Sequence, residues 1–244
     1  LDGIWQGTVT IGNVGTTTIT ANAGTKTGTS NAFAVIPSEL ANIVIIPSMA
    51  TITVDAMVEF TAYGYDALWN EIKLVGGRWG VIPDIGTFTY LEGPTTTFIA
   101  GTKAVSGLIT FATNSVSGTA NILILPGALH QINITPPAAD ISVTAEQSFE
   151  VRGADKHGNN VPAIVNWQIV GGLGTLTPSV GSYTVFTAGT KAASGWIVAG
   201  SGSVRATASV SITAGTLHHI HITPAAATIT VLGSLSLKAL GYDE

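Results

Sequence analysis

Cysteine is absent from this sequence, which excludes a disulfide framework and thiolate metal sites. Charge is also scarce: 9% of the 244 residues are charged, against about 25% in an ordinary soluble domain. The net charge of −5 comes with no basic stripe, so nucleic acid is not an expected partner. Apolar runs such as 122–125 are far shorter than the ~20 residues that span a bilayer, so no membrane span is predicted.

What the sequence does contain is an internal repeat. A set of markers recurs after about 88 residues, which indicates an array of one structural unit. The two full sets are Ile45-Ile46-Pro47, Gly64-Tyr65-Asp66, Trp79 and Phe98, then Ile134-Thr135-Pro136, Gly153-Ala154-Asp155, Trp167 and Phe186. A third, partial set begins at Ile222-Thr223-Pro224 and reaches Gly241-Tyr242-Asp243.

These matches predict four segments. Residues 41–128 and 129–216 form complete repeats, 1–40 form the last part of a repeat, and 217–244 form the first strands of another. In the first segment, Pro37 is matched with Pro126, and Gly24-Thr25-Lys26 with Gly101-Thr102-Lys103.

The apolar residues alternate with a period of two rather than 3.6, which indicates strands with one buried face. Gly, Pro, Asn and Asp divide residues 41–128 into seven or eight short strands, one of them expected around 73–81. The predicted fold is therefore all-β: tandem immunoglobulin-like β-sandwiches of about 88 residues each. The positions expected in the cores are Ile52/Ile141/Ile229, Val54/Val143/Val231, Phe60/Phe149/Leu237, Trp79/Trp167 and Phe98/Phe186.

The order of these features resembles the bacterial and archaeal immunoglobulin-like repeats of surface proteins, the Big and invasin-type modules. The resemblance rests on the Ile-x-Pro strand, the Gly-x-Asp-x-x-x-Asn turn, the Trp strand, and the closing Ala-Gly-Thr-Lys and Ser-Gly pair. It implies an extracellular rod of sandwiches on a cell surface, in an adhesin, a surface layer or a filament. Antibody-type domains place a disulfide beside their Trp, and its absence here agrees with the bacterial modules.

No catalytic pattern is present, so the chain is expected to be neither an enzyme nor cofactor-dependent. His219 and His221 share a strand face and have a spacing that suits zinc or nickel, but the matched positions hold Gln131 and Asn133, which favours a polar outer face. The turns Asp66…Asn70 and Asp155…Asn159 either offer oxygen ligands to calcium or bond their own backbone. The recurring Lys26, Lys103 and Lys191 are solvated turn residues or partners in an isopeptide bond.

Six residues are candidate assembly or binding contacts. Trp69 occupies a loop tip where the matched residue is Gly158, so its ring either packs on its own domain or inserts into a neighbour. Leu123 and Leu125 point outward if Ile122 and Ile124 point inward, and they face either a partner or an inter-domain loop. The short junctions each end in a leucine, namely Leu40, Leu129 and Leu217, and these are expected to hold neighbouring repeats nearly rigid.

The partial repeats at the two ends allow two interpretations. The sequence is a window on a longer chain, or residues 217–244 of one subunit complete residues 1–40 of the next in a head-to-tail fibre. We expect a self-associating structural protein of a filament, sheath or surface layer. The alternative is an adhesin whose loop tips bind a glycan or a host receptor.

Overall fold

A computed structural model describes residues 3–4 and 6–243. The described residues form strands and no helix, and they divide into two compact units, Leu1–Pro126 and Gly127–Glu244. No apolar helix of the length that crosses a bilayer occurs among them. The prediction of an all-β fold is confirmed.

The larger part of the first unit is a complete β-sandwich. Its strands are β5 (Asn42–Ile46), β6 (Met49–Thr53), β7 (Met57–Tyr65), β8 (Glu71–Ile72), β9 (Arg78–Ile82), β10 (Gly86–Phe88), β11 (Thr95–Ala100), β12 (Val105–Thr113) and β13 (Val116–Leu125). One sheet has the order β10-β11-β7-β5, with β8 beside β7, and the other has the order β6-β13-β12-β9.

The first strand of the sandwich passes from one sheet to the other. β5 pairs antiparallel with β7, whereas β6 pairs parallel with β13. Pro47 and Ser48 lie between them, and proline has no N–H with which to continue a ladder. This exchange, with the remaining antiparallel pairs, gives the strand arrangement of an immunoglobulin-like sandwich.

The second unit repeats this arrangement over 131–213. Its strands are β14 (Gln131–Thr135), β15 (Ala138–Ser142), β16 (Glu146–Ala154), β17 (Asn160–Val161), β18 (Val165–Val170), β19 (Gly174–Thr177), β20 (Val180–Gly181), β21 (Tyr183–Ala188), β22 (Ala193–Ser201) and β23 (Val204–Thr213). The two sheets have the orders β14-β16-β21-β19, with β17 beside β16, and β15-β23-β22-β18-β20.

Each sandwich has its own core. Phe60, Phe98 and Phe111 are fully buried in the first, beside Trp79, and Phe149 and Phe186 in the second, beside Trp167. The core positions predicted for the two complete repeats are confirmed, with Ile52, Ile141 and Val143 at the margin of the cores. Alternation explains the selection, because successive side chains of a strand point to opposite faces of the sheet.

The segment before the first sandwich forms paired strands without a core. They are β1 (Gly15–Thr17), β2 (Thr20–Ala23), β3 (Lys26–Thr29) and β4 (Phe33–Val35); β2 pairs with β3, and β1 with β4. Gly24 and Thr25 turn between β2 and β3, and Gly24 has a φ of +60°, as Asn114 (+51°) does between β12 and β13. The match of Gly24-Thr25-Lys26 with Gly101-Thr102-Lys103 is therefore wrong, because Gly101 precedes β12.

After the second sandwich, β24 (His219–Thr223) pairs with β25 (Lys238–Tyr242). Ile229, Val231 and Leu237 are exposed there, so their expected core role is wrong. The reason is physical: among the described residues, no second sheet covers this pair.

The strand expected around 73–81 begins later than predicted: β9 covers Arg78–Ile82, and irregular chain separates it from β8. Gly77 lies in that stretch with a φ of +130°, and a Cβ there would lie 2.2 Å from the ring of Phe111. Only glycine fits this combination of backbone angle and close approach.

Candidate functional site

The linker that enters each repeat is bound by an aspartate of the same repeat. The backbone N–H of Ser38 donates to Asp66 Oδ2 at 3.1 Å, and that of Gly127 donates to Asp155 Oδ2 at 2.8 Å. Gly215 donates to Asp243 Oδ2 at 2.7 Å. We call this arrangement the linker clamp. In all three cases the donor lies 28 residues before the aspartate.

The turn after the aspartate completes the clamp. Asp66 Oδ1 accepts the backbone N–H groups of Leu68 and Asn70, each at 2.9 Å, and Oδ2 also accepts from Asn70 Nδ2 at 2.9 Å. Asp155 accepts from His157 and Asn159 in the same way. Asn and Asp favour such turns because their side chains bond the nearby backbone.

These hydrogen bonds stabilise the charged carboxylate. The side-chain amide of Asn70 is the largest cause that lowers the pKa of Asp66 to about 2, with further lowering by the backbone N–H groups of Asn70, Ser38 and Leu68, against an opposing effect of burial. Burial alone would raise the pKa of Asp155, but the bonds from Asn159, Gly127 and His157 outweigh it and hold that pKa well below its usual range.

The same geometry argues against calcium at these turns. A carboxylate has about four lone-pair positions, and both Asp66 and Asp155 use theirs for N–H donors. Calcium takes six to eight oxygen ligands. No group of three or more His, Asp or Glu side chains suited to a metal ion occurs in the part of the chain that the structure describes.

The junction leucines pack beside the clamp, each on its own following repeat. Leu40 contacts the first core, and a Cβ at Gly64 would lie 2.9 Å from Leu40 Cδ1. Leu129 contacts the second core, and the corresponding distance from Gly153 is 2.6 Å. Leu217 lies 2.5 Å from a Cβ at Gly241. The glycine of Gly-x-Asp thus leaves room for the leucine. That these leucines stiffen the array stays a prediction.

Trp69 lies on the clamp turn with an unusual backbone. Its φ is +64°, in the left-handed region, where Gly158 of the next repeat has +84°. Its indole is 62% exposed, and its ring centroid lies 5.4 Å from that of Tyr65. The ring therefore packs partly on its own domain and leaves most of its surface open, beside the exposed Leu68.

Exposed apolar side chains lie on the outer face of the β12 sheet, interspersed with the polar residues Thr51, Ser106 and Asn121. Ile122 and Ile124 are buried, whereas Leu123 and Leu125 are about two-fifths exposed, as the alternation predicts. Three further apolar side chains share their face through the strand register: Met49, Ile82 and Leu108. A shallow groove of about 420 Å³ runs between Met49, Leu108 and Leu123. We call these five residues the apolar face.

The His cluster does not converge on a common point. The rings of His218 and His219 meet edge-on, with centroids 6.0 Å apart, and His219 stacks on Tyr242 at 5.1 Å. His221 Nδ1 lies 3.4 Å from Thr223 Oγ1. The ring of His219 is thus engaged by an aromatic neighbour on β25.

No family profile and no curated protein sequence matches the chain. Solved structures do resemble it. FdeC, an Escherichia coli adhesin, has a TM-score of 0.57 at 15% identity, over 78% of this chain and 70% of that chain. The fold is that of invasin-type immunoglobulin-like repeats.

Two further solved structures show the same similarity in fold. Invasin, a bacterial integrin-binding protein, has a TM-score of 0.52 at 12% identity, over 86% of this chain and 48% of that chain. InvD of Yersinia pseudotuberculosis has a TM-score of 0.50 at 20% identity, over 78% and 63%. This chain therefore spans about half the length of the invasin chain. At these identities the structural similarity shows the immunoglobulin-like fold alone, and integrin binding is a property of invasin.

Proposed function

We propose that the chain is a non-enzymatic, extracellular structural segment of a cell-surface protein. Its immunoglobulin-like repeats, arranged as a rod, provide length and pass tension from one module to the next. The observation that carries this proposal is the linker clamp, because the same bond recurs at Ser38, Gly127 and Gly215. The likeness in fold to a surface adhesin supports the extracellular setting.

A clamp of this kind suits a chain under tension. A pull on the linker reaches the backbone N–H of Gly127, which is held by the carboxylate of Asp155. Hydrogen bonds to a charged acceptor are about twice as strong as neutral ones. The force is then delivered to the turn that joins β16 to β17, rather than to the edge strand β14 alone.

Single-molecule force spectroscopy of the whole chain tests the proposal. We expect one unfolding event for each complete repeat, with a contour-length gain of about 30 nm for a repeat of about 88 residues at ~3.5 Å per residue. Asp155→Ala should lower the rupture force of one event and leave the other unchanged. Asp84→Ala, the same change at an exposed loop position, is the control. Equal rupture forces in Asp155→Ala and the parent chain would contradict the clamp's mechanical role.

Self-association through the apolar face is the second part of this proposal. Five apolar side chains share one sheet face in the first sandwich, whereas the next repeat has Ser211 and Thr213 at the positions of Leu123 and Leu125. Exposed apolar side chains gathered on one sheet face are a common feature of interaction sites. We infer that this face meets another copy of the chain, laterally, in a surface polymer.

The terminal strands bear on the head-to-tail alternative. β2 and β3 correspond to the hairpin of β12 and β13, and β24 and β25 correspond to β5 and β7. Completion of one such segment by the other, in a head-to-tail fibre, stays the alternative form of self-association. We favour lateral contact through the apolar face, because its exposed side chains share one sheet face.

The association test replaces two leucines of the apolar face with the residues found at the matched positions of the next repeat. Leu123→Ser with Leu125→Thr should shift the chain toward monomer in analytical ultracentrifugation. Val75→Ser removes a more exposed apolar residue that lies outside the apolar face, and it should leave the distribution unchanged. A monomeric parent chain at tens of micromolar, or an unchanged distribution in the double variant, would refute this face as the contact.

A second candidate function is adhesion through the Trp69 loop. A bulky residue in the left-handed region is strained, and such strain gathers at functional sites. Trp69 combines that backbone with a largely exposed indole. The test is whether the chain binds host cells or a glycan. Loss of that binding in Trp69→Gly, with the oligomeric state unchanged, would favour the adhesin.

A further inference from the structure

The outer face of the β22 sheet in the second sandwich differs from the apolar face. Its centre is Trp196, which is 51% exposed. Val170 lies beside Trp196 on one side and Ser209 on the other, and Ser194 and Ser211 form the next row. A shallow groove of about 260 Å³ lies along the indole, lined by these serines and Asp140. The indole therefore stands on a hydroxyl-rich surface.

A second, polar pocket lies on the same sheet, toward the turn between β22 and β23. Its volume is about 320 Å³, and its lining includes Asn166, Gln168, Ser179 and Arg205. Asn166, Gly200 and Arg205 form one row across three strands, so their side-chain positions share one face. Gln168 is two residues from Asn166 along β18 and shares that face as well.

The absence of a side chain at Gly200 determines where the guanidinium of Arg205 lies. A Cβ there would lie 3.2 Å from an Nη atom of Arg205, so the bare backbone lets the arginine lie close over the sheet. Among the residues that the structure describes, no carboxylate forms an ion pair with Arg205. The guanidinium is planar and offers paired N–H donors in the geometry that a carboxylate accepts.

We propose that this face binds an acidic oligosaccharide. The apolar side of one sugar ring stacks on Trp196, a carboxylate of another sugar pairs with Arg205, and the amides of Asn166 and Gln168 bond hydroxyl groups. Trp196 and Gly200 are four residues apart on one strand, which corresponds to ~13 Å at about 3.3 Å per residue. The ligand is therefore an oligosaccharide rather than a single sugar. We call this surface the sugar face.

The strand pairing argues for a sugar over a peptide. Extended peptides bind by adding a strand to an open sheet edge. β22 is paired with β18 on one side and β23 on the other, β23 pairs with β15 at Ser209–Thr213, and β18 pairs with β20 at Val165 and Asn166. A peptide on this face would find only side chains, whereas a sugar has hydroxyls for the Ser, Asn and Gln groups and an apolar side for the indole.

The preceding repeat provides an internal comparison. The residues matched to Trp196 and Arg205 are Leu108 and Ser117, and those matched to Asn166 and Gln168 are Arg78 and Gly80. The sugar face is thus a property of the second sandwich, and we expect one ligand per chain. It shares no residue with the linker clamp or the apolar face, so its test is independent of theirs.

Titration of the full chain tests the proposal with two acidic probes. One is a hyaluronan tetrasaccharide, which carries glucuronate, and the other is 3′-sialyllactose. Lactose and carboxyl-reduced hyaluronan tetrasaccharide are the neutral controls. We expect at least one acidic probe to bind with a stoichiometry of one, and its neutral counterpart to bind at least tenfold more weakly.

Four variants locate the binding, each checked for folding by circular dichroism. Trp196→Leu and Arg205→Ser introduce the residues of the preceding repeat and should each weaken binding at least tenfold. Arg205→Lys keeps the charge without the paired donors and should fall between. Arg152→Ser removes an exposed arginine from the other sheet and should bind as the parent does.

Three outcomes would overturn the proposal. They are no binding of either acidic probe at millimolar concentration, equal affinity for acidic and neutral probes, and unchanged affinity in both Trp196→Leu and Arg205→Ser. Tighter binding of tetraglutamate than of either sugar would assign the face to an acidic peptide and overturn it equally.

Discussion

The glycine of the Gly-x-Asp turn offers a quantitative test, because the same substitution meets different atoms in the two repeats. A Cβ at Gly64 would lie 2.6 Å from Leu74 Cδ2 and 2.9 Å from Leu40 Cδ1, with the nearest backbone atom, the oxygen of Ile72, at 3.1 Å. The two closest atoms are the ends of flexible side chains, which can rotate away. We therefore expect Gly64→Ala to cost about 1 kcal/mol in the free energy of unfolding.

Gly153→Ala meets a harder obstacle. Its Cβ would lie 2.5 Å from the backbone oxygen of Val161, which pairs with Gly153 in the β16–β17 ladder. That oxygen moves only if the pairing is lost, and Leu129 Cδ1 and Ala163 Cβ block the remaining directions at 2.6 Å and 3.0 Å. The expected cost is about 3 kcal/mol, at the upper end of ordinary overpacking.

Native-state hydrogen exchange with peptide-level mass spectrometry separates the two repeats, because each has its own core and is expected to open independently. Peptides from β7 should report the smaller loss in Gly64→Ala, and peptides from β16 the larger loss in Gly153→Ala. Gly76→Ala is the control: no atom lies within 4 Å of its Cβ, so stability should be unchanged or up to ~1 kcal/mol higher. A loss in Gly153→Ala no greater than that in Gly64→Ala would refute the reasoning.

Three further outcomes follow from contacts in the cores and clamps. Because the folded-state pKa of Asp66 is about 2 and the unfolded value is near 4, its carboxylate stabilises the first sandwich fully above pH ~4 and loses that effect as the pH falls toward 2. Denaturant titrations at stepped pH should show this fall, and Asp66→Asn should remove this residue's share of it. Trp167→Ala should lower the free energy of unfolding by about 3–5 kcal/mol in the second repeat, since the indole is buried, whereas Trp196→Ala should cost under ~1 kcal/mol; equal losses would contradict the assigned burial. Trp69→Gly relieves about 1 kcal/mol of left-handed backbone strain and loses ~1 kcal/mol of contact with Tyr65. The melting temperature should therefore shift by a few degrees at most. A loss above ~2 kcal/mol in the free energy of unfolding would mean that the ring stabilises the fold.

The sandwich cores could be predicted from the sequence because alternation and a repeated Trp determine which side of each strand is apolar. Phe60 and Phe149 follow from that rule alone. The same rule fails for Val231, because alternation identifies a face but does not supply a sheet to cover it.

The linker clamp could not be read from side chains. Its donors are Ser38, Gly127 and Gly215, which have nothing in common except a backbone N–H. The sequence contained one usable signal: the constant 28-residue distance between the junction and the aspartate of Gly-x-Asp. The sequence likewise identified the junction residues Leu40, Leu129 and Leu217. Their contact with a glycine depends on strand register, which a single sequence does not reveal.

That short separation also bears on the order in which the protein is made. Every atom of a clamp belongs to the opening stretch of its repeat, and in the stretch 215–243 the bond between Gly215 and Asp243 is present beside a single strand pair. We therefore expect a module emerging from the ribosome or a secretion channel to present all of its clamp residues before its tryptophan strand appears. In each repeat, the linker clamp is then expected to form before the sandwich core.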